Sequence, residues 1–297
     1  MSLLHSGASC AAGTRRTPNN DARGWHCSLT GVVLVVRETH GEALPEVAGL
    51  SLLFAAGTRP SAGDVDRLLS MPPAAGAATP DAGGAVARIS SRRGAQEGWL
   101  ELLASGLTFD LHGLAEGEAC PVPPASHYFG LPRLEADLQL EAITLVPGPH
   151  IGGGGAMVPV VKAIAVVASE LALKLRPRAV CWHPAASWMD PDYFARIIAA
   201  WRGGGAFPAL GMCGVVRKPD GGVESQGLAF FVGHELRVEP RPGEPAAETV
   251  KLAVRMIDHL VRHGPIRARE ALTGPGGEAL LAEPASGGRF VRLWRDA

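Results

Sequence analysis

The longest apolar run of the chain, from Met157 to Leu175, constrains the fold more than any other segment. Lys162, Glu170 and Lys174 interrupt it, and its apolar residues cover a wide arc of a helix. A transmembrane helix needs ~20 consecutive, predominantly apolar residues with few charges. The run therefore predicts a buried helix, and an apolar surface this broad must lie between layers of a folded core.

Apolar runs on both sides of this helix predict strands as well as further helices. The predicted strands are 31–36, 49–55, 86–89, 99–103, 107–111, 138–146, 178–182, 210–216, 223–232, 235–239 and 290–294. Besides 157–175, the predicted helices begin at Ser61, at Asp190 with Pro191 as the first helical residue, and at Glu248. Strands and helices alternate too irregularly for a doubly wound sheet. We expect an α+β fold in which mixed or antiparallel sheets carry helices on one face.

Proline and glycine content divides the chain into segments. Residues 1–30 lack apolar periodicity and predict a disordered tail. Residues 31–114 predict an N-terminal α+β half, and the proline-rich segment 115–137 predicts a linker. Residues 138–297 then form a C-terminal α+β domain.

Charge and cysteine content exclude several classes of function. Lys and Arg number 28 against 29 Asp and Glu, so a broad nucleic-acid interface, which needs a basic face, is not expected. Five widely spaced cysteines without a C-x-x-C pair predict neither a disulfide framework nor a zinc site. We expect a cytoplasmic protein with no cofactor, no bound metal and no membrane segment.

Three arrangements of residues could form a binding or catalytic site, and each also has a simpler structural interpretation. Gly152–Gly155 lies between a strand and a helix, but no Lys or Ser/Thr follows it as in a phosphate loop. His259 and His263 share a helix face, but they lack the glutamate of a zinc protease. Cys181 and His183 point to one side of a strand, about 7 Å apart, too far for direct contact. These features predict a loop, a solvated helix end and a buried thiol.

The strand that begins near His234 carries alternating charges. His234 and Glu235 are adjacent on a strand and point to opposite faces, so they cannot act together directly. Glu235, Arg237 and Glu239 share one face. This spacing predicts a partly exposed ladder of ion pairs that involves all three residues.

Several segments of the second half resemble a known bacterial family. They are Val180-Cys181-Trp182-His183 with Ser187 after it, the helix from Asp190, the pair Gly227-Leu228 and the strand Gly233-His234-Glu235-Leu236-Arg237-Val238. Over about residues 138–296 this pattern resembles the family named domain of unknown function 4261. The first half looks like the N-terminal part that such proteins often carry.

The resemblance implies a protein without an established activity. It also implies a relation to immunity proteins of bacterial toxin systems, which bind and neutralise a protein partner. Trp182, His183, Gly227, Gly233 and Glu235 are the positions that carry the resemblance, and no residue among them is predicted to be catalytic.

The sequence thus favours a non-enzymatic protein-interaction module, and it assigns no small-molecule ligand. The alternative is a hydrolase or transferase that uses Cys181, His183 or His234 in a cleft between the two halves. A third hypothesis is anion or nucleotide binding at Gly152–Gly155.

Overall fold

The computed structural model describes residues 27–29, 32–36, 49–70, 87–131, 139–274 and 276–295. Most of the predicted tail 1–30 and part of the predicted linker lie outside these ranges, as do residues 72–84, whose Pro, Ala and Gly content predicts a loop.

The part of the chain before residue 130 is rich in strands. In chain order its elements are β1 (Cys27–Leu29), β2 (Val32–Val36), β3 (Leu50–Ala55), α1 (Ala62–Ser70), β4 (Arg88–Ser91), β5 (Trp99–Ala104), β6 (Leu107–His112) and β7 (His127–Phe129). Strand β1 falls within the predicted tail, so ordered structure begins before residue 31.

The rest of the chain alternates strands with helices of very different length. Its elements are β8 (Leu140–Pro147), α2 (Val158–Leu175), β9 (Ala179–Trp182), β10 (Ser187–Met189), α3 (Pro191–Arg202), α4 (Ala209–Met212), β11 (Gly214–Arg217), β12 (Val223–Gln226), α5 (Ala229–Val232), β13 (Glu235–Val238), α6 (Ala246–His263), β14 (Glu270–Thr273), β15 (Ala279–Pro284) and β16 (Phe290–Arg295). The element α5 is a single helical turn, and α4 is an irregular turn in which Leu210 and Gly211 have non-helical dihedral angles.

The strands form two mixed sheets, which confirms the α+β class. The order in the first sheet is β1-β2-β7-β10-β9-β3-β8-β6-β5-β4, and the order in the second is β11-β12-β13-β16-β15-β14. Strand β3 lies between β8 and β9, so the first sheet draws its centre from both sides of segment 115–137. The proline-rich segment does not separate two sheets.

The long apolar helix α2 covers the centre of the first sheet, against β3 and β8, and also packs along α3. Val161, Ile164 and Leu171 are fully buried there. Each such aliphatic side chain contributes about 1.5–3 kcal/mol when it leaves water. The predicted burial of this helix is confirmed.

Local capping fixes the starts of two predicted helices. The Ser61 hydroxyl accepts a hydrogen bond of 3.0 Å from the Asp64 amide, while the Asp64 carboxylate accepts one of 2.9 Å from the Ser61 amide. Asp190 likewise accepts from the Tyr193 amide at 2.9 Å. These contacts satisfy amides that have no partner within the first turn of a helix.

In the second sheet, helix α6 covers one face. Buried residues of β13, β15 and β16 point toward that side and alternate with more exposed ones, the pattern of a sheet with one covered face. The buried set is Leu236, Val238, Leu280, Ala282, Val291 and Leu293.

Two predicted strands end earlier or begin later than their apolar residues suggest. The predicted strand 210–216 begins later than expected, because the chain first forms the turn α4 and strand β11 begins only at Gly214. The second, 223–232, forms strand β12 only as far as Gln226 and then the turn α5. The chain changes direction at Gly227, whose φ of +88° is incompatible with a continuing strand.

Candidate functional site

The two segments that carry the family resemblance meet where the first sheet packs against the second. A 3-10 turn, His183–Ala185, follows β9 directly, and Gly227 lies against it. A Cβ atom on Gly227 would lie 2.9 Å from the Cα atom of Ala185 and 2.9 Å from the carbonyl oxygen of Pro184. Both this close approach and the positive φ require glycine. We call this region the junction and define it by residues 182–185 and 225–235.

The Glu235 carboxylate holds the second half of the junction together. It accepts hydrogen bonds from the Ser225 hydroxyl and from the amides of Gly227 at 2.8 Å, Leu228 at 3.2 Å and Ala229 at 3.1 Å. Glu235 is only 9% exposed. The predicted ion pair with Arg237 is therefore wrong, because the carboxylate turns inward to amides that the turn α5 leaves unpaired.

Trp182 joins the two sheets through its ring. The ring is fully buried, and its Nε1–H donates to the carbonyl oxygen of Met212 at 2.9 Å. The rings of Phe230 and Phe231 pack against it, with centroids 5.5 Å and 6.2 Å away. Phe230 and Phe231 pack against the core, and the Trp182 ring has no exposed surface.

His183 lies at the edge of the junction, in contact with the first sheet. Its Nε2 atom shares a hydrogen bond of 2.8 Å with the Ser51 hydroxyl, which shares another of 2.8 Å with Thr144. A Cβ atom on Gly49 would lie 2.7 Å from His183 Nδ1, so glycine leaves room for the ring. Burial lowers the pKa of His183 to about 4, and the imidazole is neutral at pH 7.

The thiol of Cys181 takes no part in this contact. Cys181 is fully buried, and burial raises its pKa to about 12. Within the described residues no hydrogen bond joins this thiol to the His183 imidazole. A protonated thiol without a neighbouring base is a poor nucleophile.

His127 contacts the junction, although the sequence did not indicate it. Its Nε2 donates to the side-chain oxygen of Gln226 at 2.8 Å and so connects β7 with β12. Gly214 makes room for the ring, since a Cβ atom there would lie 2.0 Å from Nε2. Because the partners are 99 residues apart, no local pattern could reveal the contact. Burial lowers the pKa of His127, so it too is neutral.

His234 holds the segment after α6 against the junction. Its Nε2 accepts a hydrogen bond of 3.1 Å from the Ile266 amide, so the ring proton lies on Nδ1, 3.2 Å from the carbonyl oxygen of Glu235. Gly233 precedes it with a φ of +83°, and a Cβ atom there would have no atom within 4 Å. Gly233 thus ends the turn α5 by its backbone conformation alone.

The remaining sequence candidates lie far from the junction along the chain. Gly152–Gly155 belongs to a 3-10 helix, Pro149–Ala156, that leads into α2. His263 Nδ1 hydrogen-bonds with the carbonyl oxygen of His259 at 2.8 Å, and the two rings stack with centroids 4.2 Å apart. The predicted location of this pair at the helix end is confirmed.

The face of the second sheet opposite α6 is a second candidate site. We call it the open face and define it by its members: Glu224, Arg237, Leu281, Glu283, Arg292 and Trp294 on the strands, with Asp220 and Glu239 at the strand ends. The strand register places Glu224, Arg237, Arg292 and Glu283 in one row across four strands.

A network of ion pairs covers half of the open face. The Arg237 guanidinium contacts Asp220, Glu224 at 2.6 Å and Glu239 at 3.1 Å, and Arg292 Nε donates to Glu239 at 2.8 Å. Burial by itself lowers the pKa of Arg237, but its hydrogen bonds to the three carboxylates outweigh burial and raise it. The predicted pair of Arg237 with Glu239 is confirmed.

Beside this network the open face has a shallow depression of about 630 Å³. Asp220, Glu239, Pro240, Glu283, Arg292 and Trp294 line it. The depression opens to solvent, and its lining combines charged groups with one aromatic ring.

Comparison of the chain with family models, curated proteins and solved structures finds no match. The resemblance to the domain of unknown function 4261 stays a prediction. Within the described ranges, no group of three or more His, Cys, Asp or Glu side chains is placed to hold a metal ion. None of the helices in that part of the chain is long and apolar enough to cross a membrane.

Proposed function

We propose that this chain is a non-enzymatic protein-interaction module that binds a protein partner through the open face of its second sheet. The observation that carries the proposal is the contrast between the two candidate sites. At the junction, Trp182, Gly227 and Glu235 are engaged in internal contacts. On the open face, Arg292 has a side chain that is 55% exposed and lies beside a depression.

An immunity-like role in a bacterial toxin system fits this arrangement. Such a protein must present a stable, preformed surface, and the junction ties the open face to the larger first sheet. Free thiols at Cys120, Cys181 and Cys213 support a reducing, cytoplasmic setting. The near-neutral overall charge supports a protein partner over a nucleic acid.

The proposal is tested by affinity capture followed by reconstitution. Captured proteins are identified by mass spectrometry, and binding is measured with the purified partner. We expect Leu281→Arg, which places a bulky cation on the open face, to lower affinity at least tenfold. The matched control is Leu173→Arg on α2, where the leucine is 45% exposed. Equal binding of both variants, or no protein that binds when purified, contradicts the proposal.

The alternative function, a hydrolase or transferase, draws on one observation: the Ser51 hydroxyl and the His183 imidazole are 2.8 Å apart. A serine nucleophile is activated by such a base when a third group orients the base. Here Ser51 has no exposed surface, and His183 Nδ1 faces Gly49 rather than a carboxylate. A fluorophosphonate probe, which labels activated serines, separates the enzyme from the non-enzymatic module. Labelling of the wild-type chain that is lost in Ser51→Ala would support the enzyme.

A further inference from the structure

We infer that the depression on the open face receives a basic side chain, arginine or lysine, from the protein partner. This inference rests on the proposed function and adds to it the chemistry of the partner. It follows from the position of Glu283 and Trp294 and from the distribution of charge around them.

Glu283 and Trp294 lie side by side on the open face. Strand register pairs Glu283 with Arg292 and Leu281 with Trp294, so Glu283 and Trp294 are diagonal neighbours on β15 and β16. Diagonal neighbours on one face are close enough for long and aromatic side chains to share a contact. Both residues line the depression.

The charges around the depression are unequally satisfied. Arg237 contacts three carboxylates, and Arg292 Nε contacts Glu239. Lys218 pairs with Glu224 at 3.3 Å. Among the described residues, the Glu283 side chain has no hydrogen bond or ion pair within the chain, unlike the other carboxylates of the open face.

The balance of charge on this surface is negative. Four carboxylates, those of Asp220, Glu224, Glu239 and Glu283, lie beside three cations, those of Lys218, Arg237 and Arg292. The excess negative charge is that of Glu283, because the other three carboxylates already have cationic partners.

An arginine or lysine side chain matches both free groups at once. Its alkyl part or guanidinium plane can lie on the Trp294 ring, where a cation is attracted to the aromatic face. Its charge then meets the Glu283 carboxylate. An acidic side chain at the same point would face the unpaired Glu283 carboxylate, while the lining cation Arg292 already contacts Glu239. Charge complementarity therefore favours a basic partner.

A single exposed ion pair and one cation–aromatic contact each change affinity only a few-fold. The depression thus contributes selectivity within a larger interface and does not bind a free amino acid tightly. Its contribution must weaken as salt is raised, since both groups are partly exposed to solvent.

The test uses fluorescent peptides of alternating serine and arginine, serine and lysine, or serine and glutamate, with fluorescence anisotropy as the readout. We expect the folded wild-type chain to bind both basic peptides and not the acidic one. Glu283→Gln and Trp294→Leu should each weaken basic-peptide binding by about two- to fivefold. Glu248→Gln is the matched control, because it removes the same charge from α6, on the other side of the sheet. Thermal melting checks that each variant is folded.

Stronger binding of the acidic peptide, or an equal effect of Glu283→Gln and Glu248→Gln, overturns the inference. The same variants are then measured with the partner identified by capture. If Leu281→Arg abolishes partner binding while Glu283→Gln and Trp294→Leu do not alter it, the basic-side-chain inference fails and the proposed function stands. If the partner binds Leu281→Arg normally, the proposed function fails.

Discussion

At the scale of single residues, several buried polar groups of the junction have defined partners. Glu235 accepts from four donors, and His183 and His234 each use a ring nitrogen to hold a neighbouring segment. A buried charge is tolerated only when it is paired or well hydrogen-bonded. These residues are therefore sensitive points for stability.

Glu235→Gln should destabilise the folded chain by about 1–3 kcal/mol, because the amide has one acceptor oxygen where the carboxylate has two. One of the amides near Gly227 then loses its acceptor. Urea denaturation followed by circular dichroism measures the change. Glu248→Gln is the control, because its ion pair with Lys251 is exposed to solvent and contributes little to stability. Equal losses in the two variants would contradict the assigned role of Glu235.

His183 gives the stability a defined dependence on pH. Its folded-state pKa of about 4 is below the unfolded value of about 6.5, so the unfolded chain binds the proton more readily. The contribution of His183 to the free energy of unfolding is fully present above pH 6.5 and is lost as the pH falls from 6.5 toward 4. The loss amounts to roughly 3 kcal/mol at most.

The measurement is the free energy of unfolding at pH 7, 5.5 and 4.5 in wild type and in His183→Gln. The variant should show a shallower loss over this interval, while a residual slope from His127 and His234, whose pKa values burial also lowers, persists. Identical slopes in the two proteins would show that His183 titrates normally.

At the scale of elements, the sequence predicted what depends on local patterns. The helix from Asp190 was predicted from its cap, its N1 proline and its apolar spacing, all of which act within a few residues. The segment 227–232 was predicted as strand because Leu228, Phe230 and Phe231 favour strands. Contacts from a distant turn and from Glu235 determine its helical conformation instead.

The strands β7, β10, β14 and β15 were not predicted. The first two have three residues each, too few to show a period of two. Strands β14 and β15 contain Ala, Glu and Thr beside their leucines, so their alternation is weak. Their pairing partners, rather than their own composition, stabilise them.

Two glycines of the α5 turn allow a matched test. Gly233→Ala should lower the free energy of unfolding by about 1–2 kcal/mol, since the φ of +83° is unfavourable for alanine but no atom lies close to the added Cβ. Gly227→Ala should lower the free energy of unfolding by clearly more, because its Cβ atom would also collide with Ala185. Thermal and urea denaturation give both values. A loss at Gly227 no larger than at Gly233 would mean that the close approach at the junction is absent.

At the scale of the whole molecule, the two sheets share one aromatic core. Trp182 of the first sheet packs against Phe230 and Phe231, which lead into the second. In the sequence, the two segments 180–183 and 227–238 were singled out only as parts of a resemblance. That they touch could not be predicted, because nothing in their local pattern encodes a contact between segments this far apart.

The shared core predicts that both sheets unfold together. Tryptophan fluorescence and far-ultraviolet circular dichroism should give one coincident urea transition. Phe231→Ala should move this transition to a lower urea concentration without splitting it. The free energy of unfolding should fall by about 2–3 kcal/mol, because Phe231 is partly buried. Two separate transitions in the wild-type chain would show that the sheets are independent.

The order of strands in the second sheet has a consequence for biosynthesis. Strand β16, residues 290–295, lies between β13 and β15. While the ribosome still holds these residues, β13 and the β14–β15 hairpin have no common neighbour, and the surface formed by Glu283 and Trp294 does not exist. The nascent polypeptide thus acquires this surface only after residue 295 has been translated and released from the exit tunnel.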